Sequence, residues 1–164
     1  MNNMPNIKNR MIFSLILLFS IFALFAAYFI QYVLKHQPCN LCLIERIPYI
    51  ASIIIISICL FFKRFEKISL SVLSFIYFSA SLIALYHFGI EQGFINESLV
   101  CDLNNVSNDL TKEALLNQLK EMPISCKDVT FKIFGLSLAT FNIFISLVLG
   151  VITMKFFLSY EKIK

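Results

Sequence analysis

The sequence predicts an all-α membrane protein: a four-helix transmembrane bundle with a short amphipathic helix in the second of its two outward-facing loops. Three observations predict it. The 164 residues are 59% hydrophobic and only 15% charged, with a mean hydropathy of +0.80, a composition foreign to soluble globular domains. The charges leave four apolar stretches long enough, or nearly so, to cross a bilayer. Between those stretches the basic residues fall mainly on one side. The net charge of +4 is small, and no basic cluster is interleaved with stacking aromatics, which sets nucleic acid aside as a partner.

Residues 1–10 are polar and carry Lys8 and Arg10. Residues 11–34 then run without a charge, too long for the apolar region of a signal peptide, and no small-residue cleavage site follows. They are read as the first span, uncleaved. Residues 35–42 (KHQPCNLC) form a short loop. The second span covers about 43–62. Its charge-free part, Ile47–Phe62, is short, so Glu45 and Arg46 belong at the interface or just inside it. Pro48 lies near enough to the start to be tolerated, and is a candidate for a kink. A basic turn, Lys63–Lys67, leads to the third span, about 68–90.

Residues 91–132 form a long polar loop that holds Cys101 and Cys126. Within it, apolar residues at 110, 114, 115, 119 and 122 suit an amphipathic helix lying on the membrane surface and stopped by Pro123. The fourth span is about 133–154, where Gly135, Ser137, Ala139 and Thr140 are small enough for close helix approach. The whole chain, 1–164, reads as one transmembrane domain.

Four spans put both termini on one side, together with the 63–67 turn. That side carries 8 basic and 2 acidic residues, whereas the long loop carries 4 Lys against 7 acidic residues. The positive-inside rule makes the termini cytoplasmic. Cys39, Cys42, Cys101 and Cys126 then face outward, the oxidising side in a bacterium. Cys59 stands alone near the cytoplasmic end of the second span and reads as a small buried hydrophobe.

The chemistry concentrates in Pro38-Cys39-Asn40-Leu41-Cys42-Leu43-Ile44-Glu45-Arg46. If this stretch opens a helix, Cys39, Cys42 and Arg46 share a face. Two thiols three apart can close a redox-active disulfide. A helix N-terminus and a nearby cation both favour the reactive thiolate. Two pairs of outward cysteines, one in a helix mouth and one in a loop, suit a relay of thiol–disulfide exchange. Structural disulfides are an alternative for the loop pair, since closing that loop would contribute roughly 3–4 kcal/mol. They suit Cys39 and Cys42 poorly, because a bridge across three residues closes almost no loop. Zinc on four thiolates is a third reading, but Cys101 and Cys126 lack ligand spacing; no metal is assigned.

Arg46 is placed to hold an anion at the membrane edge, a thiolate or a reduced aromatic acceptor; the plainer reading is an interfacial Arg paired with Glu45. His87 and Glu91, four apart at the end of the third span, could exchange protons with an acceptor at the same depth, or simply bond each other.

These motifs carry a resemblance. Pro38-Cys39-x-Leu41-Cys42-x-x-Glu45-Arg46 is followed by Tyr86-His87-x-Gly89-x-Glu91-Gln92, Cys101-Asp102, Cys126, and Phe134-Gly135-Leu136-Ser137 with Asn142. In this order, over about Gln31–Phe157, the chain resembles the DsbB family of quinone-dependent, disulfide-generating membrane proteins. The resemblance implies that a DsbA-like thioredoxin-fold oxidase of the periplasm attacks Cys101 of a Cys101–Cys126 bridge. Cys126 would then engage Cys39. Cys42, as thiolate, would deliver electrons to ubiquinone or menaquinone beside Arg46, with His87 and Glu91 nearby. It further implies a bacterial inner membrane location in contact with the bilayer and its quinone pool. Cys59 has no counterpart in the family pattern. With no Trp, Tyr32, Tyr49 and Tyr86 must serve the outer aromatic belt.

Rival readings remain distinct. The vitamin K epoxide reductase-like family places its Cys-x-x-Cys late in the chain, whereas here it is early. A non-enzymatic metal-binding or assembly factor would keep its cysteines reduced and metal-loaded. A purely structural membrane protein would tolerate loss of Cys39 and Cys42.

Overall fold

The computed structural model describes residues 7–62, 65–96, 101, 125–127, 132–133 and 135–162. In chain order these form α1 (Ile7–Tyr32), the one-turn α2 (Asn40–Ile44), α3 (Ile47–Phe62) and α4 (Glu66–Glu91). A hairpin of β1 (Lys132–Ile133) and β2 (Leu136–Ser137) follows, then α5 (Leu138–Lys162). The amphipathic helix expected over 109–122 lies outside the described residues.

Four helices are long and apolar enough to cross a membrane: Arg10–Tyr32, Asn40–Phe62 (α2 and α3 together), Glu66–Glu91 and Leu138–Ser159. The protein is a multi-pass membrane protein built as a four-helix bundle. Its most extensive interface joins α4 and α5; α3 packs against both α1 and α4. Phe22, Phe25, Phe61, Phe75 and Phe144 point outward, as aromatic side chains do where lipid is the solvent. Inside, Phe13, Ile16, Ile56, Leu70, Leu73 and Tyr77 form an apolar centre.

Small polar residues let the helices approach and return their hydroxyls to backbone carbonyls. Ser74 donates to the Gly150 carbonyl and Ser81 to that of Ile143, both across the α4–α5 interface at 3.4 Å. Ser52 and Thr153 donate within their own helices, to Pro48 (2.7 Å) and Leu149 (2.9 Å).

Three element boundaries depart from the sequence reading, each for a local reason. The second span is not one helix. α2 ends at Ile44, the Arg46 amide turns back to the Leu43 carbonyl (3.2 Å), and the regular ladder resumes only when Ile50 N bonds Arg46 O (3.2 Å). Pro48, which has no N–H, sits in the first turn of α3, where none is required. The break therefore falls at Glu45-Arg46 and turns both charged side chains into the bundle end.

The last helix begins at Leu138 rather than Ile133. Lys132 pairs with Ser137 and Ile133 with Leu136, around a turn in which Gly135 adopts φ +81. Ser137 Oγ then accepts from Thr140 N (3.2 Å), as an N-capping hydroxyl does. α1 ends at Tyr32, two residues after which Leu34 N bonds Phe29 O (3.2 Å) and Lys35 takes a left-handed φ of 56.

Candidate functional site

The four cysteines other than Cys59 gather at one end of the bundle. Cys39, Leu41, Ile90, Cys101 and Cys126 pack as a single buried cluster. Cys101 and Cys126 are joined by a disulfide with Cα atoms 5.7 Å apart. Cys39 and Cys42 are free thiols whose sulfurs lie 2.7 Å apart.

Cys39 is the N-cap of α2, and its Sγ accepts from the Cys42 amide at 3.3 Å. The Cys42 thiol can donate to the same atom, and His87 Nε2 stands 3.5 Å away. These neighbours lower the Cys39 thiol from 9.0 to about 5. The Cys42 side chain is the largest cause; burial opposes it, and His87 reinforces it.

His87 is held from behind. Its Nδ1 lies 2.7 Å from Glu45 Oε1, so the proton belongs on Nδ1 and Nε2 faces Cys39. Asn142 Nδ2 donates to the other Glu45 oxygen at 2.8 Å. Asn142 Oδ1 in turn accepts from Tyr49 (2.5 Å) and Ser146 (3.2 Å). One connected network thus runs from α2 through α4 and α5 to α3. Glu91 approaches His87 Nε2 at 3.7 Å through Oε1, while its Oε2 is buried without a hydrogen-bond partner.

Arg46 faces the other way. It donates to Gln31 Oε1 at 2.6 Å and lies over the Tyr28 ring, 5.0 Å from the centroid. The alternative reading of Arg46 as paired with Glu45 is therefore not the arrangement adopted: Glu45 serves His87 and Asn142, and Arg46 serves α1.

A cavity of about 390 Å³ opens among these groups. Ala23, Ala27 and Ile30 of α1 and Phe141 and Ile145 of α5 give it apolar walls; Cys39, Cys42, Arg46, His87 and Glu91 lie at its polar end, and Cys126 also reaches it. Its size and character suit a largely apolar ligand with a few polar atoms.

All seven site residues named from the sequence meet here, and the bridge between Cys101 and Cys126 is present. Sequence reasoning left Glu45, Asn142, Tyr49 and Gln31 outside the site. The available signal was a polar residue inside a membrane helix, which is costly and wants a partner. That signal marked Glu45, with Arg46 as its local candidate partner, whereas Asn142 stood out only as part of the family motif.

The model of the family described as disulfide bond formation protein DsbB matches residues 9–156. The chain belongs to the DsbB family. As a member it is a thiol oxidoreductase of disulfide-bond formation. An uncharacterized protein of Rickettsia prowazekii (strain Madrid E), RP370, is 29% identical over 132 residues, covering 79% of this chain and 77% of that protein. No solved structure matches.

Proposed function

We propose that this DsbB-family chain is a protein-dithiol:quinone oxidoreductase of a bacterial inner membrane, with both termini cytoplasmic and all four site cysteines facing the periplasm. Its partner is a DsbA-like thioredoxin-fold oxidase that arrives reduced. The observation that carries the reading is the meeting of two cysteine pairs with one apolar cavity whose polar end is built from Cys42, Arg46 and His87.

The partner's two thiols become a disulfide while the Cys101–Cys126 bridge opens to two thiols. Cys126 attacks Cys39 of a closed Cys39–Cys42 bridge and releases Cys42. Cys101 then attacks Cys126, the 101–126 bridge re-forms, and Cys39 leaves. A thiol of low pKa leaves fastest, and Cys39 is lowered to about 5, which suits it to that departure.

The cavity fits a quinone: apolar walls for a ring and tail, and polar groups at one end. When bound, a quinone supplies the oxidant for two electrons and takes up two protons. Arg46, held by Gln31 and Tyr28, presents a fixed cation at that end. Glu45 fixes the His87 ring so that Nε2 faces the sulfurs and can hold the proton that Cys39 sheds.

The test is a thiol count in intact cells. Cells are acid-quenched and alkylated with a mass tag, with and without prior reduction. The expected count in normal cells is one free thiol, Cys59, with four more appearing on reduction. Depleting quinone should leave Cys39 and Cys42 reduced. If both bridges persist without quinone, the pairs are structural and the oxidase reading fails; five free thiols in normal cells would favour a metal-binding factor instead.

A further inference from the structure

The sulfurs of Cys39 and Cys42 and Nε2 of His87 all lie within 4.8 Å of one another. Two further features turn this cluster toward a cation. His87 gives its second ring nitrogen to the Glu45 carboxylate at 2.7 Å, the support that fixes a metal-ligating histidine in the correct tautomer. Glu91 brings Oε1 to 3.7 Å from the same Nε2, and its Oε2 is buried with no hydrogen-bond partner. Glu91 thus stands next to the imidazole with one carboxylate oxygen, Oε2, free to accept a further donor or a cation.

We propose that the reduced chain binds one Zn²⁺ through Cys39 Sγ, Cys42 Sγ and His87 Nε2, with Glu91 supplying the fourth donor. The donor set selects the metal. Thiolate and imidazole favour zinc over the hard cations that prefer oxygen, and two sulfurs, one nitrogen and one oxygen fill a tetrahedron. Binding displaces two protons, that of the Cys42 thiol and the one His87 Nε2 holds for Cys39, forms two Zn–S bonds and a Zn–N bond, and moves no electrons. With Zn–S bonds of about 2.3 Å the sulfurs must sit roughly 3.7 Å apart. From 2.7 Å, the two sulfurs must move apart by about 1 Å. A closed Cys39–Cys42 disulfide has no thiolate to offer, so the site exists in the dithiol state alone.

The ion would hold the pair apart and reduced. On the reading given above, zinc is then an inhibitor that captures the chain between receiving electrons and passing them on. That consequence rests on the proposed function; the binding itself requires only that the two thiols be free.

Cobalt tests it directly, because tetrahedral Co²⁺ on thiolates absorbs where the apoprotein does not. The full chain carrying Cys59→Ser, in lipid nanodiscs, is reduced, freed of reductant without air and titrated with Co²⁺. The expected result is a sulfur-to-cobalt charge-transfer band and visible d–d bands saturating at one equivalent and displaced by Zn²⁺. The oxidised chain and Cys39→Ser should show neither. Glu45→Gln, which weakens the support of His87 and leaves all the proposed ligands in place, should reduce affinity on the order of 10–100-fold.

A second measurement needs no variant. On the reduced wild-type chain, Zn²⁺ should protect Cys39 and Cys42 from alkylation and leave Cys101 and Cys126 reactive. Absence of the bands, bands at full strength in Cys39→Ser or His87→Ala, or protection of Cys101 and Cys126 instead would each overturn the site. Quinone reduction by the metal-free chain is assayed in parallel. Cobalt binding without quinone reduction defeats the function reading alone, and the converse defeats the zinc site alone.

Discussion

Cys39 and Cys59 are almost equally hidden, at 6% and 3% exposure, yet they sit in opposite chemical settings. Cys39 caps a one-turn helix, receives an amide N–H and a neighbouring thiol, and faces an imidazole that a carboxylate holds in place. Cys59 lies in α3 among Phe13, Ile16, Leu70 and Leu73. The polar groups near it are Ser69 and the carboxylate of Glu66, and a carboxylate repels a thiolate. Burial therefore does not distinguish a working cysteine from a packing one in this bundle. What distinguishes them is whether the neighbours stabilise or oppose a negative sulfur.

The largest expected effect tests that contrast outright. Cys39→Ser and Cys42→Ser should each abolish oxidation of a dithiol substrate by the membrane-embedded chain, because a serine oxygen cannot form the bridge. Cys59→Ala should keep full activity and lose only packing, on the order of 1 kcal/mol of stability. Parallel turnover and thermal-unfolding measurements decide it; an inactive but folded Cys59→Ala chain would break the comparison.

A smaller effect sharpens it through pH. Above pH 5 the Cys39 sulfur is a thiolate; as pH falls through about 5 it takes a proton and becomes unreactive. The alkylation rate of Cys39 by a small maleimide should therefore rise with pH around a midpoint near 5 and level off by neutrality. The groups facing it are Cys42, His87 and, through His87, Glu45 and Glu91, with Arg46 directed to Gln31. His87→Ala removes a partner that lowers the Cys39 pKa, so the midpoint should move upward. A midpoint unchanged in His87→Ala would show that Cys42 and the helix cap suffice.

These neighbours also mark how far the sequence can be read. The four spans were legible because a long charge-free run is a local property, and so were Cys39 and Cys42, which stand three apart. The loop pair was visible as two cysteines, though not as members of the same buried cluster as Cys39. Glu45 was visible only as an expensive charge, and its pairing with Arg46 was a natural local expectation. Its real partners are His87, 42 positions away, and Asn142, 97 positions away. Such pairings are set by helix packing, which no spacing rule along one strand of sequence supplies. The hairpin before α5 was missed for the opposite reason. Its four strand residues are too few to show a period, and Gly135 was read for close packing rather than for its positive φ.

The smallest effect concerns the far end of that network. Tyr49 donates to Asn142 Oδ1, which Ser146 also reaches at 3.2 Å, whereas Asn142 Nδ2 is the donor to Glu45 Oε2. Tyr49→Phe removes one of two donors to an oxygen that keeps the other. The loss should be about 0.5–1.5 kcal/mol, with near-normal activity. Asn142→Leu instead leaves a buried carboxylate oxygen without its amide, and should cost about 1–3 kcal/mol and loosen His87 as well. Thermal unfolding of both variants in detergent micelles ranks them. If Tyr49→Phe costs as much as Asn142→Leu, then Tyr49 sets the position of Asn142, and the support of His87 begins in α3. If it costs less, Asn142 is fixed by α5 itself, and the polar network ends where it meets Glu45.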